Sequence, residues 1–158
     1  MKAFIINIGD ELLIGQVTNF NASWIAEQLS QLGIEIVKID VVADKEQDIR
    51  KAIKDAEKNA QLIILTGGLG PTNDDITKKV LCSYFHRKLI FNEDVLEDIK
   101  ELFTLRNLIV TEINRKQAEV PERCKIIRNK LGTAPGLWFE HDKKIIVEFC
   151  WLQCKVYY

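Results

Sequence analysis

Residues 62–77 read LIILTGGLGPTNDDIT, a short apolar run followed at once by a glycine-rich turn and two aspartates. The apolar run predicts a buried strand. The aspartates predict the start of a helix, because acidic side chains are favoured in the first helical turn. A strand that passes through a glycine-rich turn into a helix is typical of α/β proteins with a parallel sheet.

The residues before this stretch repeat the alternation of strand and helix. Residues 3–8 predict a buried strand, residues 34–42 predict another strand, and Gly33 marks the end of the helix between them. Asp44 and Gln47 resemble a capping box that opens a second helix. The apolar stripes of the two helices are Trp24, Ile25, Leu29 and Leu32, then Ile49, Ala52, Ile53 and Ala56.

The second half of the chain is less regular. Residues 92–103 and 111–118 predict two helices, the second of which ends before Pro121. Residues 125–128 predict an edge strand. Residues 137–140 and 144–149 predict a small C-terminal hairpin.

Composition excludes several classes of protein. The 158 residues carry 22 Lys and Arg against 23 Asp and Glu, a formal charge of −1, so we expect no nucleic-acid partner. No apolar stretch approaches the roughly 20 residues that span a membrane, so we expect no membrane partner and a cytoplasmic protein. The four cysteines lack CxxC spacing, which favours reduced thiols over a zinc site or disulfides. They are Cys82, Cys124, Cys150 and Cys154.

Three loops follow the carboxyl ends of the predicted strands. They carry Asp10 after the first strand, Asp44 after the second, and the glycine-rich turn with Asp74 and Asp75 after the third. Right-handed crossovers tend to place the second and third strands on either side of the first. Since ligands of open α/β sheets bind where strand order reverses, we expect one shared crevice.

The glycine-rich turn indicates the chemistry of that crevice. Gly67, Gly68 and Gly70 allow close backbone approach, and the helix that follows directs N–H groups at the turn, which suits a phosphate. Asp74 and Asp75 would repel an anion unless a cation intervened, which predicts Mg²⁺. The chain has no Gly-Lys pair for a Walker A loop, and no third glycine for a dinucleotide fingerprint.

Each acidic residue also has a purely structural explanation. Asp44 suits a helix N-cap, and Asp74 and Asp75 suit a first helical turn through the helix dipole alone. From the residues by themselves, both interpretations stay open.

Five ordered segments resemble the N-terminal domain of the competence/damage-inducible CinA family, within the molybdopterin-binding superfamily. The segments are GDELLIG at 9–15, NFN at 19–21, TGGLGPTNDDIT at 66–77, NRKQA at 114–118 and NKLGTAPG at 129–136. The resemblance implies a three-layer α/β/α domain with a mostly parallel central sheet over residues 1–147. Residues 148–158 depart from the family pattern as a divergent or truncated tail.

The resemblance also implies an activity. The domain class includes Mg²⁺-dependent pyrophosphatases of ADP-ribose, helped by K⁺ in some members, and relatives that bind molybdopterin. The aspartates at the positions of Asp44 and Asp75 are the functional ones in those relatives, so we take these two as catalytic and metal-binding, with Asp10 as a third metal ligand. The predicted substrate-binding residues are Asn21, Gly67, Gly68, Gly70, Pro71, Thr72, Asn114, Gln117, Gly132, Thr133, Ala134, Pro135 and Gly136.

Two alternatives to hydrolysis remain. The domain could hold a pterin or a nucleotide without turnover, or it could work only together with a partner subunit. The resemblance suggests a homo-oligomer. It implies no amidase activity, because 158 residues leave no room for the C-terminal amidase domain of full-length members.

Overall fold

The computed structural model describes residues 1–68 and 76–149. Within these ranges the chain forms eight strands and six helices. The strands are β1 (Lys2–Ile8), β2 (Glu35–Val42), β3 (Leu62–Thr66), β4 (Leu89–Phe91), β5 (Glu119–Pro121), β6 (Lys125–Ile127), β7 (Gly136–His141) and β8 (Lys144–Phe149). The helices are α1 (Asp10–Leu13), α2 (Phe20–Gln31), α3 (Glu46–Asn59), α4 (Ile76–Tyr84), α5 (Glu93–Leu105) and α6 (Glu112–Lys116).

Six of the described strands form one mixed sheet in the order β2-β1-β3-β8-β7-β6. β1 pairs in parallel with both β2 and β3, and β3 pairs in parallel with β8. The expectation that β2 and β3 flank β1 is confirmed. The predicted hairpin is β7–β8, which is part of the main sheet because β8 pairs with β3.

Helices cover both faces of this sheet. Side chains alternate along β1, so Phe4, Ile6 and Ile8 face one side while Ala3 and Ile5 face the other. The first face packs against α3, α4 and α5, and the second packs against α2. Burial of one such large apolar side chain contributes about 1.5–3 kcal/mol. The presence of helices on both faces of the sheet confirms the predicted three-layer arrangement.

Several local predictions were wrong. Trp24 is 60% exposed and Leu32 is 76% exposed, because α2 turns Ala22 and Ile25 toward the sheet. Asp44 does not cap α3; the N-cap is Lys45, and its side chain makes no capping hydrogen bond.

The predicted 111–118 helix was too long. Thr111 caps a shorter helix, α6, which leaves residues 119–121 free to form β5 beside β4. Strands of only three residues carry no clear periodicity in the sequence, so the expectation included neither of them.

The described cysteines are free thiols. Cys82 is buried and Cys124 is half-buried, and burial raises the pKa of the Cys124 thiol to about 11. A thiol with so high a pKa stays protonated near neutral pH, which leaves it a weak nucleophile. Cys150 and Cys154 lie outside the described residues.

In the described part of the chain, no helix combines the length and the apolarity that crossing a bilayer requires.

Candidate functional site

Asp10 and Asp44 meet at the carboxyl ends of β1 and β2. The Asp10 N–H donates to Asp44 Oδ2 at 3.2 Å, and the Asp44 N–H donates to Asp10 Oδ1 at 3.4 Å. Just before them, the Gly9 N–H donates to the Val42 carbonyl at 3.1 Å and so extends the contact between the two strands. Two acidic residues 34 positions apart are thus held together by a reciprocal pair of hydrogen bonds.

This pair suits a small divalent cation. Asp10 is exposed and Asp44 is half-buried, so both carboxylates are within reach of solvent. Among residues 1–68 and 76–149, no group of three or more potential metal-ligating side chains occurs. Mg²⁺ fits a site with few protein ligands, because it keeps several waters and usually takes one or two carboxylates together with substrate phosphates.

Gly67 and Gly68 follow the last residue of β3 and lie close to Ile8, the last residue of β1. Both have positive φ, at 95° and 69°. A Cβ on Gly67 would lie 2.0 Å from the main-chain oxygen of Ile8, and one on Gly68 would lie 2.1 Å from Thr77 Oγ1. The Thr77 hydroxyl in turn donates to the Gly67 carbonyl at 3.3 Å. Close packing therefore accounts for both glycines, and it brings their turn beside the strand that leads into Asp10.

The rest of the glycine-rich segment lies outside the described residues. Gly70, Pro71, Thr72 and the predicted catalytic Asp75 all fall in 69–75. Their role in the site stays a prediction, as does the approach of Asp75 to Asp44.

The predicted polar residues of 114–117 have different surroundings. Asn114 belongs to a capping box in which its Oδ1 accepts from the Thr111 N–H at 3.0 Å and from the Thr111 hydroxyl at 2.6 Å. Gln117 is buried, and its Oε1 makes no hydrogen bond within the described part of the chain. Asn114 thus stabilises α6, whereas the Gln117 carbonyl oxygen is buried without a hydrogen-bond partner among the described residues.

Asn21 lies half-buried in the first turn of α2. The preceding Asn19 caps this helix, because its Oδ1 accepts from the Ala22 N–H at 3.1 Å. The cap thereby fixes the backbone position of Asn21.

The loop of residues 132–136 is organised by Asn129. Its Oδ1 accepts from the N–H groups of Leu131 and Gly132 at 3.0 and 3.1 Å, and its Nδ2 donates to the Ala134 carbonyl at 2.9 Å. Within the loop, Gly132 and Thr133 are half-buried, while residues 134–136, Ala134, Pro135 and Gly136, are buried. A single side chain thus sets the shape of the predicted recognition loop.

Sequence reasoning missed three residues that support this region. Asn129 and Thr66 appeared only as parts of quoted motifs, and Asn7 was taken as a strand position. Both Asn7 and Thr66 are fully or almost fully buried at strand ends. A polar residue within an apolar strand was the available signal, because a buried polar group needs a partner.

The chain resembles a known sequence family over nearly all of its described length. A profile described as a probable molybdopterin binding domain matches residues 4–148. A CinA-like protein from Cytophaga hutchinsonii is 46% identical over 138 residues, covering 87% of this chain and 33% of the relative. A putative competence-damage inducible protein from Caldicellulosiruptor saccharolyticus is 46% identical over 147 residues, covering 93% and 36%. The chain thus spans about a third of the length of these curated relatives.

Solved structures agree with this similarity. CinA from Thermoplasma acidophilum superposes with a TM-score of 0.83 at 31% identity, covering 94% of this chain and 87% of that one. The tungsten cofactor synthesizing protein MoaB from Pyrococcus furiosus has a TM-score of 0.58 at 22% identity, covering 94% and 79%. At that identity the MoaB likeness concerns the fold alone.

Proposed function

Because this chain belongs to the molybdopterin-binding domain family, and within it to the CinA-like proteins, we propose that it hydrolyses a nucleoside diphosphate sugar with the help of Mg²⁺. The reaction would be like that of an ADP-ribose pyrophosphatase. The observation that carries the proposal is the reciprocal pair of Asp10 and Asp44, two acidic side chains that the fold brings together from separate strand ends.

The position of the glycine turn supports the same reaction. Gly67 and Gly68 bring the backbone after β3 against the end of β1, next to the acidic pair. Acidic side chains by themselves would repel a diphosphate. A glycine turn by itself would accept many kinds of ligand. Their combination at one end of a parallel sheet favours a phosphate ester accompanied by a cation.

In the proposed site, Asp10, Asp44 and Asp75 would hold Mg²⁺, whose positive charge would lower the repulsion between the acidic residues and the diphosphate. The backbone after β3 would bind the diphosphate. Gln117 and the loop of residues 132–136 would recognise the sugar or the base. In the hydrolysis, a water oxygen bonds to one phosphorus while the bond from that phosphorus to the bridging oxygen breaks, giving AMP and ribose 5-phosphate.

Incubation of the purified protein with ADP-ribose tests this proposal. We expect AMP to be released only when Mg²⁺ is present. Asp44→Asn and Asp75→Asn should each lower kcat/KM by about 100-fold or more, the usual effect of removing one group that stabilises developing charge. Anion-exchange chromatography of the reaction products measures the rate.

Asp142→Asn is the matched control. Asp142 is 84% exposed in the turn between β7 and β8, at the opposite end of β8 from the site, and its positive φ of 46° suits asparagine. This variant should keep the wild-type rate. The hydrolase assignment fails if the Asp44 and Asp75 variants turn over ADP-ribose as fast as this control.

A second candidate function is binding without turnover. The family profile is described as a probable molybdopterin binding domain, which favours a pterin phosphate as the ligand. Titration calorimetry with ADP-ribose and with a pterin phosphate separates the two functions. Tight binding of either compound without any product would support the binding module.

A further inference from the structure

A chain of side-chain hydrogen bonds links three strands just before their carboxyl ends. The Thr66 hydroxyl at the end of β3 donates to Asn7 Oδ1 on β1 at 2.9 Å. Asn7 Nδ2 donates to the main-chain carbonyl of Asp40 on β2 at 3.0 Å. Asn7 is 0% exposed and Thr66 is 3% exposed, so the bond between them is buried, while the bond from Asn7 to Asp40 is partly buried.

The orientation of the Asn7 amide follows from the chemistry of its partners. The Asp40 carbonyl can only accept a hydrogen bond, so the amide nitrogen must face β2. The amide oxygen then faces β3, and the Thr66 hydroxyl must donate to it. The two hydrogen bonds therefore run in one direction, with Thr66 on β3 donating to Asn7 on β1 and Asn7 donating to the Asp40 carbonyl on β2.

Each partner lies close in sequence to a residue of the proposed site. Thr66 directly precedes Gly67, Asn7 lies three residues before Asp10, and Asp40 lies four residues before Asp44. The link thus spans the three strand ends whose relative positions determine whether the acidic pair and the glycine turn meet.

This polar link lies in a layer of apolar side chains. Asn7 is on the same face of β1 as Ala3 and Ile5, a face that packs against Ala22 and Ile25 of α2. In such an apolar layer, replacing both side chains of the Thr66–Asn7 hydrogen bond by apolar groups of the same shape can be nearly neutral or stabilising. Folding stability alone therefore gives little reason for a polar link at this place.

The β1–β2 ladder gives a reason for a geometric role. Its register shifts between Ala3 and Phe4, so the register that leads to Asp44 holds from Phe4 onward. Among the described strands, β2 is also at the edge of the main sheet and pairs with β1 alone. A side-chain bond near the far end of the ladder restrains this edge strand where Asp44 follows.

We propose that Asn7 is a positioning residue that holds the Asp44 end of β2 in register with the glycine turn after β3, with Thr66 orienting its amide. The proposal rests on the proposed function only for its catalytic consequence. The restraint itself is a property of the fold and can be measured without substrate.

Two nearly isosteric variants test the restraint. Asn7→Leu and Thr66→Val remove the polar groups but keep similar volumes, and Thr66→Ser keeps the hydroxyl. We expect the amide protons of Asp10 and Asp44 to exchange with deuterated solvent about five-fold faster in the first two variants, as follows from the loss of a hydrogen bond of about 1 kcal/mol. In Thr66→Ser, the amide protons of Asp10 and Asp44 should exchange as slowly as in the wild-type protein. Backbone NMR measures these rates residue by residue.

The catalytic consequence is a lower kcat with little change in KM. Asn7→Leu and Thr66→Val should both lower kcat for ADP-ribose, because a displaced Asp44 weakens the transition state more than substrate binding. Thr104→Val is the control, since the hydroxyl of this exposed threonine on α5 donates, among the described residues, to the Lys100 carbonyl within its own helix. It should leave the exchange of Asp10 and Asp44 unchanged.

Two results would overturn the proposal. One is unchanged exchange of the Asp10 and Asp44 amides in both Asn7→Leu and Thr66→Val. The other is faster exchange throughout the sheet together with a lower free energy of unfolding, which would give the link a purely structural role. If the wild-type protein does not hydrolyse ADP-ribose, the exchange rates still decide the question, so the proposed function can fail without the positioning role.

Discussion

The acidic end of the parallel strands and the loop of residues 129–136 are held by contacts of very different range. Asp10 and Asp44 are 34 residues apart, and Asn7 and Thr66 are 59 apart. Asn129 instead bonds, within the described residues, to residues two, three and five positions further along the chain, and Arg106 adds one longer contact to this loop by donating to the Leu131 carbonyl at 3.0 Å. The first region exists only when the sheet is assembled, whereas the second is shaped mainly by its own sequence.

This difference in range predicts that substitutions in the two regions have different effects on stability. A change that forces the strand ends at the acidic end apart should act on the stability of the whole domain, because these strands share one core. A change in the loop of residues 129–136 should act locally, since short-range bonds can open without the sheet. Two substitutions test this distinction, and a third, at a surface pair outside both regions, gives a reference for a small effect; they follow from the largest expected effect to the smallest.

Gly67→Ala should lower the free energy of unfolding most. The left-handed backbone alone costs an alanine about 1–2 kcal/mol. A Cβ 2.0 Å from the Ile8 carbonyl oxygen adds a clash with backbone that only movement of β1 or β3 can relieve. Urea denaturation followed by circular dichroism measures the loss.

Gly15→Ala is the matched control for this variant. Gly15 has a positive φ of 74°, but an added Cβ would meet nothing within 4 Å. Gly15→Ala should therefore lower the free energy of unfolding only by the cost of placing an alanine in the left-handed backbone conformation. Equal losses in the two variants would mean that the close approach of the strand ends contributes nothing.

Asn129→Ala should have an intermediate and local effect. It removes three hydrogen bonds in one loop, each worth about 0.5–1.5 kcal/mol. Trypsin should then cleave faster after Arg128 and Lys130, while the strand ends keep slow amide exchange. Asn92→Ala, which removes the cap of α5, serves as a control that should leave cleavage in this loop unchanged. Faster exchange at Asp10 and Asp44 in Asn129→Ala would contradict the separation of the two regions.

Lys125→Ala should have the smallest effect. Hydrogen bonds from Lys125 and from the Trp138 indole hold the pKa of Glu140 below its usual value. Because the folded-state pKa is lowered, the associated stability is present at neutral pH and is lost as the pH falls through the pKa of Glu140. The substitution should raise that pKa toward 4.5, which an NMR titration would detect. Lys130→Ala should not change it.

Sequence patterns were sufficient for the parallel half of the sheet. The apolar runs of residues 3–8 and 62–65 predict buried strands, and crossover handedness predicts that β1 lies between β2 and β3. The same patterns failed on the outer surface of α2, where Trp24 follows the helical spacing but faces solvent. Periodicity identifies an apolar stripe, but it does not say how far around the helix the core extends.

The acidic site was predicted in part. The convergence of Asp10 and Asp44 followed from their places after adjacent strands. The expectation that Asp44 caps α3 failed because its carboxylate accepts from the Asp10 N–H instead, a partner 34 residues away. Local rules cannot include a competing partner from another strand.

The order of apolar and polar residues along this chain was enough to determine its α/β class and the strands that meet at the acidic end, because burial requires periodic apolar patterns. Its family was indicated by the resemblance of five sequence segments. Only the tertiary structure decided what the polar side chains do there. Asn7, Asp44 and Thr66 each have several possible hydrogen-bond partners by residue type, and the choice depends on distances set by packing across the sheet.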